Sequence, residues 1–232
     1  MSVTTTEHGD AHDGGSGDAH DGGGHHETPA QRDLKERMAL WILIGSDALF
    51  FVLEILTWFY LRALNTNGMW RGATCSTANP CTDGLGNNLT HQVAKATPTY
   101  SVVVAVLAVA AALLVWAAER SARRGSGRGP TGAAAGLALL ALLAALVVQS
   151  YQFGQLPFTT IDGAYASTFE FFMGSTLAHL GLLTFLVFGL WNRSRLGRYE
   201  DGRWYQVRLV RIFAVWIAVS VCVLTIVMSL FA

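Results

Sequence analysis

The chain has 232 residues, of which 52% are hydrophobic and only 14% are charged. Its formal net charge is zero, so the composition gives no support for nucleic-acid binding. The apolar residues occur in long blocks, and the charged fraction is below that of a typical soluble domain, which together predict a membrane protein with several spans.

The N-terminal segment, residues 1–32, is poor in apolar side chains and rich in Gly, His, Asp and Glu. The heptapeptide Gly-Asp-Ala-His-Asp-Gly-Gly occurs at 9–15 and again at 17–23. Such a segment has too little apolar surface to fold alone, so we predict a disordered tail. Two interpretations of its histidines stay open: a solvated duplication, or a weak metal-binding segment containing His12, His20, His25 and His26.

The first apolar run, about 38–62, is long enough to cross a bilayer but contains two carboxylates, Asp47 and Glu54. They lie seven residues apart, so on a helix they project from one face. Because an isolated charge at that depth is costly, we expect this face to meet a protein interior, a cavity or a partner rather than lipid.

Four further apolar runs predict helices at about 99–118, 131–153, 164–191 and 209–231. The sequence therefore predicts an all-α protein, a bundle of five transmembrane helices spanning residues 33–232. A long polar loop, 63–98, follows the first helix and contains Cys75 and Cys81. The fourth run carries Glu170, Thr176 and His179.

The cationic residues are distributed unevenly between the connections. Of the 16 Lys and Arg residues, all but Arg62, Arg71 and Lys95 lie before the first apolar run or at the second and fourth loops. The positive-inside rule therefore predicts a cytoplasmic N-terminus and an external C-terminus. Cys75 and Cys81 would then lie outside, where a disulfide is the favoured interpretation and half of a metal site the alternative.

The first run contains Trp41, then Gly45-Ser46-Asp47, Phe50-Phe51, and Trp58-Phe59-Tyr60-Leu61-Arg62. This pattern resembles the opening helix of subunit III of haem–copper oxidases in its five-helix form. Segments 149–153, 162–169 and 174–179 are similar to later motifs of the same family, so the resemblance covers about residues 33–231. It implies a respiratory subunit of a bacterial plasma membrane.

The chain also departs from the family pattern. Asp47 replaces the usual membrane Glu, Gln152 stands where a Glu is usual, and Thr176 takes the place of the first of two His. Glu54 and Glu170 are additional carboxylates at positions that are apolar in the family.

The resemblance implies an accessory subunit without catalytic residues, cofactor or metal of its own. In such an assembly haem and copper belong to partner subunits I and II, while subunit III stabilises subunit I, binds phospholipid and supports proton uptake. The residues agree with this division, because the predicted spans contain a single histidine, His179, whereas haem ligation and oxygen activation need facing axial histidines.

Two interpretations of Asp47 stay open. It is either a protonatable carboxylate that contacts His179 or Thr176 and influences proton supply to subunit I, or a packing tie between helices. Glu54 and Glu170 are expected to be interhelical or subunit-contact groups.

The end of the first span offers a candidate lipid-headgroup site formed by Arg62, Trp58 and Tyr60, with ordinary interfacial anchoring as the alternative. Two other functions are also considered. One is the accessory subunit of a nitric oxide reductase. The other is a small proton- or metal-coupled transporter with Asp47 and Glu54 as its ion site, which would lack the internal repeat common in transporters.

Overall fold

The computed structural model describes residues 29–64, 96–125, 128–161, 163–199 and 204–230. Across these residues the protein is all-helical, with α1 (Pro29–Ala63), α2 (Thr99–Arg123), α3 (Arg128–Gly154), α4 (Ala164–Arg195) and α5 (Tyr205–Leu230). All five helices are long and apolar enough to cross a membrane. The predicted fold class is therefore confirmed, and the chain is a multi-pass membrane protein.

Most of the helices continue beyond the apolar runs that predicted them. α1 begins at Pro29, inside the range assigned to the tail, and it includes the charged segment 33–37. α2 continues to Arg123 and α4 to Arg195. The apolar run marks only the part of a helix that lies in hydrocarbon, whereas the helix itself continues into the interface, where charged side chains reach water.

Helices α2 to α5 form a closed ring in which α2 packs on α3, α3 on α4, α4 on α5, and α5 on α2. Ser101 at the beginning of α2 contacts Gln152 at the end of α3. Glu119 near the end of α2 contacts Arg211 near the beginning of α5. These contacts show that α2 runs antiparallel to α3 and to α5. The hydrogen bond from Arg193, at the end of α4, to Gln206, at the beginning of α5, shows that these two helices are also antiparallel.

The first helix lies outside this ring, in the groove between α4 and α5. Asp47 contacts His179, and Trp58, further along α1, contacts Tyr165, which precedes His179 on α4. α1 therefore runs antiparallel to α4 and parallel to α5. The beginnings of α1, α3 and α5 and the ends of α2 and α4 share one end of the bundle, which we call the arginine-rich end.

Small side chains allow α2 and α3 to pack closely. Ala108 and Ala111 of α2 are fully buried in the same cluster as Ala135 and Ala138 of α3. In lipid, where no hydrophobic force drives helices together, such close van der Waals contact is a main source of association. The ring is thus a rigid support on which α1 is placed.

Candidate functional site

A polar cluster lies in the interior where α1, α4 and α5 meet. Asp47 Oδ1 is 2.7 Å from Nε2 of His179, and its Oδ2 accepts a hydrogen bond of 2.6 Å from the indole Nε1–H of Trp216. The side chains of Asp47 and His179 are each only 15% exposed. The contact predicted between the first and fourth helices is present, and Trp216 adds a third helix to it.

The hydrogen bonds fix how many protons the Asp47–His179 pair holds. Nδ1 of His179 lies 2.7 Å from the backbone oxygen of Ser175, which only accepts, so Nδ1 carries a hydrogen. The 2.7 Å contact between Nε2 and Oδ1 then needs one shared proton. The pair is either an imidazolium with a carboxylate or an imidazole with a carboxylic acid, and both forms have no net charge.

Aromatic rings surround this pair. The ring of Phe51 lies 4.9 Å from the imidazole of His179 and 6.2 Å from the indole of Trp216, centre to centre. The ring of Phe50 lies 6.2 Å from the imidazole on another side. An apolar wall lowers the local dielectric, which strengthens the hydrogen bonds and makes a net charge costly. The Asp47–His179 pair avoids this cost because, with its shared proton, it has no net charge.

The second carboxylate of α1, Glu54, is buried on the same face, with 3% of its surface exposed. The buried hydroxyl of Ser175 on α4 faces this carboxyl, but neither group has a hydrogen bond of good distance and angle in the described part of the chain. Burial inside the chain contradicts the interpretation of Glu54 as a subunit-contact residue, because a partner cannot reach it. The interhelical interpretation stays open.

The two remaining residues predicted for the polar site lie elsewhere on α4. Thr176 is buried, but its hydroxyl donates a 2.8 Å hydrogen bond to the backbone oxygen of Phe172 on its own helix. Of the two partners proposed for Asp47, only His179 is therefore used. Glu170 is half-buried, two turns before the cluster.

The predicted lipid-headgroup site at the end of α1 is not formed as expected. Trp58 is fully buried and stacks on Phe172 with ring centres 5.2 Å apart, whereas Tyr60 is 64% exposed. Arg62 is partly exposed. The position of Trp58 near the end of an apolar run predicts an interfacial residue. The structure instead places Trp58 on the inward face of α1, where it is a packing residue.

An ion cluster that the sequence did not predict lies at the arginine-rich end. Glu119 of α2 is buried, and Arg123 of the same helix binds its Oε1 with contacts of 2.9 and 2.5 Å. Nε of Arg211, on α5, lies 2.8 Å from its Oε2. The sequence places Glu119 and Arg211 at the margins of two apolar runs, which was the available signal.

Gln152 has a structural role at the opposite end. Its amide exchanges hydrogen bonds with the hydroxyl of Ser101, at 3.1 and 3.3 Å, and Nε2 also reaches the backbone oxygen of Thr97. These contacts join the end of α3 to the beginning of α2. A neutral amide can both donate and accept, which suits this pairing better than a carboxylate would.

Some predicted residues lie outside the described part of the chain: Cys75, Cys81, His12, His20, His25 and His26. Within the described ranges, no group of three or more His, Cys, Asp or Glu side chains comes together as a metal site.

No protein-family model matches the chain, and a comparison with curated proteins likewise finds no match.

Proposed function

We propose that this chain is an accessory, non-redox subunit of a haem–copper terminal oxidase, corresponding to subunit III. The observation that carries the proposal is the Asp47–His179 contact. These residues belong to two separate motifs of the resemblance, and they are hydrogen-bonded at 2.7 Å inside the bundle. If the similarity of these two motifs were accidental, there would be no reason for their polar residues to be in contact.

In this proposal haem and copper belong to the partner subunits, where oxygen is reduced and protons are moved. His179 is unsuited to bind either group, because one ring nitrogen faces the Ser175 backbone oxygen and the other faces Asp47. The contribution of this chain is mechanical and electrostatic: it supports subunit I, binds phospholipid, and keeps the shared proton of the Asp47–His179 pair between its helices.

The outer face of α1 is the surface we assign to the partner subunits or to lipid between them. Apolar side chains on that face are well exposed, among them Ile42, Leu49 and Leu53. Asp47 lies on the opposite, inward face of α1 and is 15% exposed. A change in its proton position would therefore act on a neighbouring subunit across the width of α1.

The first experiment is purification of the native complex in mild detergent through a tag on this chain. The proposal expects an oxidase-type haem spectrum and large subunits carrying haem and copper. A partner with haem b and c but no copper site would indicate a nitric oxide reductase. Metal uptake by vesicles that contain only this chain would indicate a transporter and contradict the oxidase role.

The second experiment separates a proton-linked Asp47 from a packing tie. In the purified complex, Asp47→Asn is compared with Ser46→Ala, whose hydroxyl contacts only the backbone oxygen of Leu43 on its own helix. A proton-linked role predicts that Asp47→Asn reduces the number of turnovers that the complex completes before it is inactivated. The complex itself should stay assembled. Unchanged inactivation and unchanged proton pumping would leave Asp47 as a packing residue.

A further inference from the structure

An apolar groove of about 460 Å³ runs along the surface between α2 and α5. Its walls include Val109, Leu113 and Trp116 of α2, and Val219 and Val223 of α5, with Arg211 at one end. Arg211 and Val223 are three turns apart on α5, so the groove is about 18 Å long at 1.5 Å per residue. This shape fits an extended hydrocarbon chain.

The end of the groove that contains Arg211 has an excess of positive charge. The carboxylate of Glu119 is shared by two guanidinium groups, those of Arg123 and Arg211, so the ionised cluster carries one net positive charge. Arg211 uses its Nε towards Glu119 and is 28% exposed. In the described ranges its two terminal nitrogens have no partner, so they can donate to an anion.

The surroundings of this cluster match the headgroup region of a membrane. The guanidinium of Arg123 lies 4.2 Å from the centre of the Trp204 ring, and a tryptophan beside cationic residues is typical of the interface. The cluster lies at the arginine-rich end, which the positive-inside rule predicts to be cytoplasmic. Anionic phospholipids are attracted to basic pockets between helices on that side.

We propose that this groove binds an anionic diacyl phospholipid. Its phosphate would accept hydrogen bonds from the free nitrogens of Arg211, and one acyl chain would lie along Leu113, Val219 and Val223. Guanidinium groups suit this role because their planar fork matches the oxygens of a phosphate. The site lies at the end of the bundle opposite to Arg62, and it does not depend on the oxidase role.

The test measures binding of two phospholipids to the full chain in detergent after delipidation, by native mass spectrometry. The probes are phosphatidylglycerol and phosphatidylcholine with identical acyl chains. We expect phosphatidylglycerol to bind about fivefold more tightly, the preference that one interfacial arginine provides. Arg211→Gln should remove this preference, and Arg211→Lys should retain most of it. Arg37→Gln, an exposed cation at the same end, should leave it unchanged.

A second pair of variants tests the groove itself. Val219→Trp fills it, so both phospholipids should bind more weakly, whereas Val106→Trp places the same side chain on an exposed position of α2 that does not line the groove. Circular dichroism checks that each variant folds. If Arg211→Gln does not fold, the Val219→Trp variant still tests whether phospholipid binds in the groove.

Three results would overturn the proposal. The first is equal affinity of the unmodified chain for the two phospholipids, which would mean only non-selective surface lipid. The second is full competition by glycerol 3-phosphate, which would mean a site for free phosphate. The third is an equal effect of Val219→Trp and Val106→Trp.

Discussion

At the scale of single residues, Asp47 joins three helices with one carboxylate. One oxygen contacts His179 of α4 and the other accepts the indole hydrogen of Trp216 on α5. Since α1 lies outside the ring, these two bonds are polar contacts that attach it to α4 and α5. Isolated charge is avoided because the Asp47–His179 pair shares a proton between Nε2 and Oδ1 and has no net charge.

A double-mutant cycle measures how strongly this pair couples the helices. We compare Asp47→Ala, His179→Ala and the double variant in mixed-micelle unfolding. Interhelical hydrogen bonds in membrane proteins contribute roughly 0.6 kcal/mol on average and at most about 1.7 kcal/mol, so the coupling free energy should lie in that range. Ser46→Ala is the control and should change stability little, because its bond stays within α1. A coupling energy indistinguishable from zero would show that the contact does not hold α1.

Glu54 is expected to lower the stability of the chain, whereas the Asp47–His179 pair is expected to raise it. Its carboxyl is buried, and in the described residues neither oxygen has a hydrogen bond of good geometry, although the hydroxyl of Ser175 faces the carboxyl. Burying a polar group without partners costs roughly 1–3 kcal/mol, so Glu54→Met should stabilise the isolated chain by about that amount. Leu53→Met, on the exposed side of α1, should be neutral. A loss of stability in Glu54→Met would mean that a group of the chain itself, such as the Ser175 hydroxyl, hydrogen-bonds this carboxyl.

At the scale of elements, α1 shows what a sequence can and cannot predict. Its inward face consists of Ile44, Asp47, Phe51, Glu54 and Trp58, which follow one another at alternating spacings of three and four. The two carboxylates predicted this face, and extending the same spacing would have predicted that Trp58 is buried. The sequence does not state which helices this face meets, because every neighbouring span is similarly apolar.

Trp58 provides the test of how α1 is attached. It is fully buried between Tyr165 and Phe172, so Trp58→Ala leaves a cavity and should cost roughly 3–5 kcal/mol. Tyr60→Ala, on the exposed side, should cost little. Hydrogen exchange should become faster in α1 but remain unchanged in α2 and α3, since α1 packs on α4 and α5. Equal acceleration in all helices would instead indicate that the bundle unfolds as one unit.

At the scale of the whole molecule, the number of spans was predictable because bilayer thickness fixes the length of an apolar run. The order of helices around the ring was not, since it depends on side-chain packing between runs of similar composition. The same limit explains the missed partners. Trp216 has the hydrogen that Asp47 accepts, but within an apolar run it is indistinguishable from a packing residue. Glu119 and Arg211 meet only because α2 and α5 are adjacent and antiparallel.

The alternating helix directions give the charge asymmetry a geometric basis. Arg123 and Arg124 at the end of α2 lie at the same end of the bundle as Arg193 and Arg195 at the end of α4, whereas Arg62 lies at the other. We therefore expect the N-terminus to be cytoplasmic and the C-terminus external. Alkaline phosphatase fused to the C-terminus should be active in cells, and a green fluorescent protein at the same position should be dark. The reverse pattern would contradict this orientation.

The same orientation predicts the state of the cysteines in the loop between α1 and α2. If Cys75 and Cys81 lie outside, an oxidising environment favours a disulfide between them, whereas a cytoplasmic loop would keep both as thiols. Cys222 of α5 is a free thiol. The denatured, unreduced chain should therefore bind one maleimide-polyethylene glycol, and the reduced chain three. Cys75→Ser should release Cys81 and give two adducts without reduction. Three adducts on the denatured, unreduced chain would show free thiols and remove the disulfide, whichever way the chain is oriented.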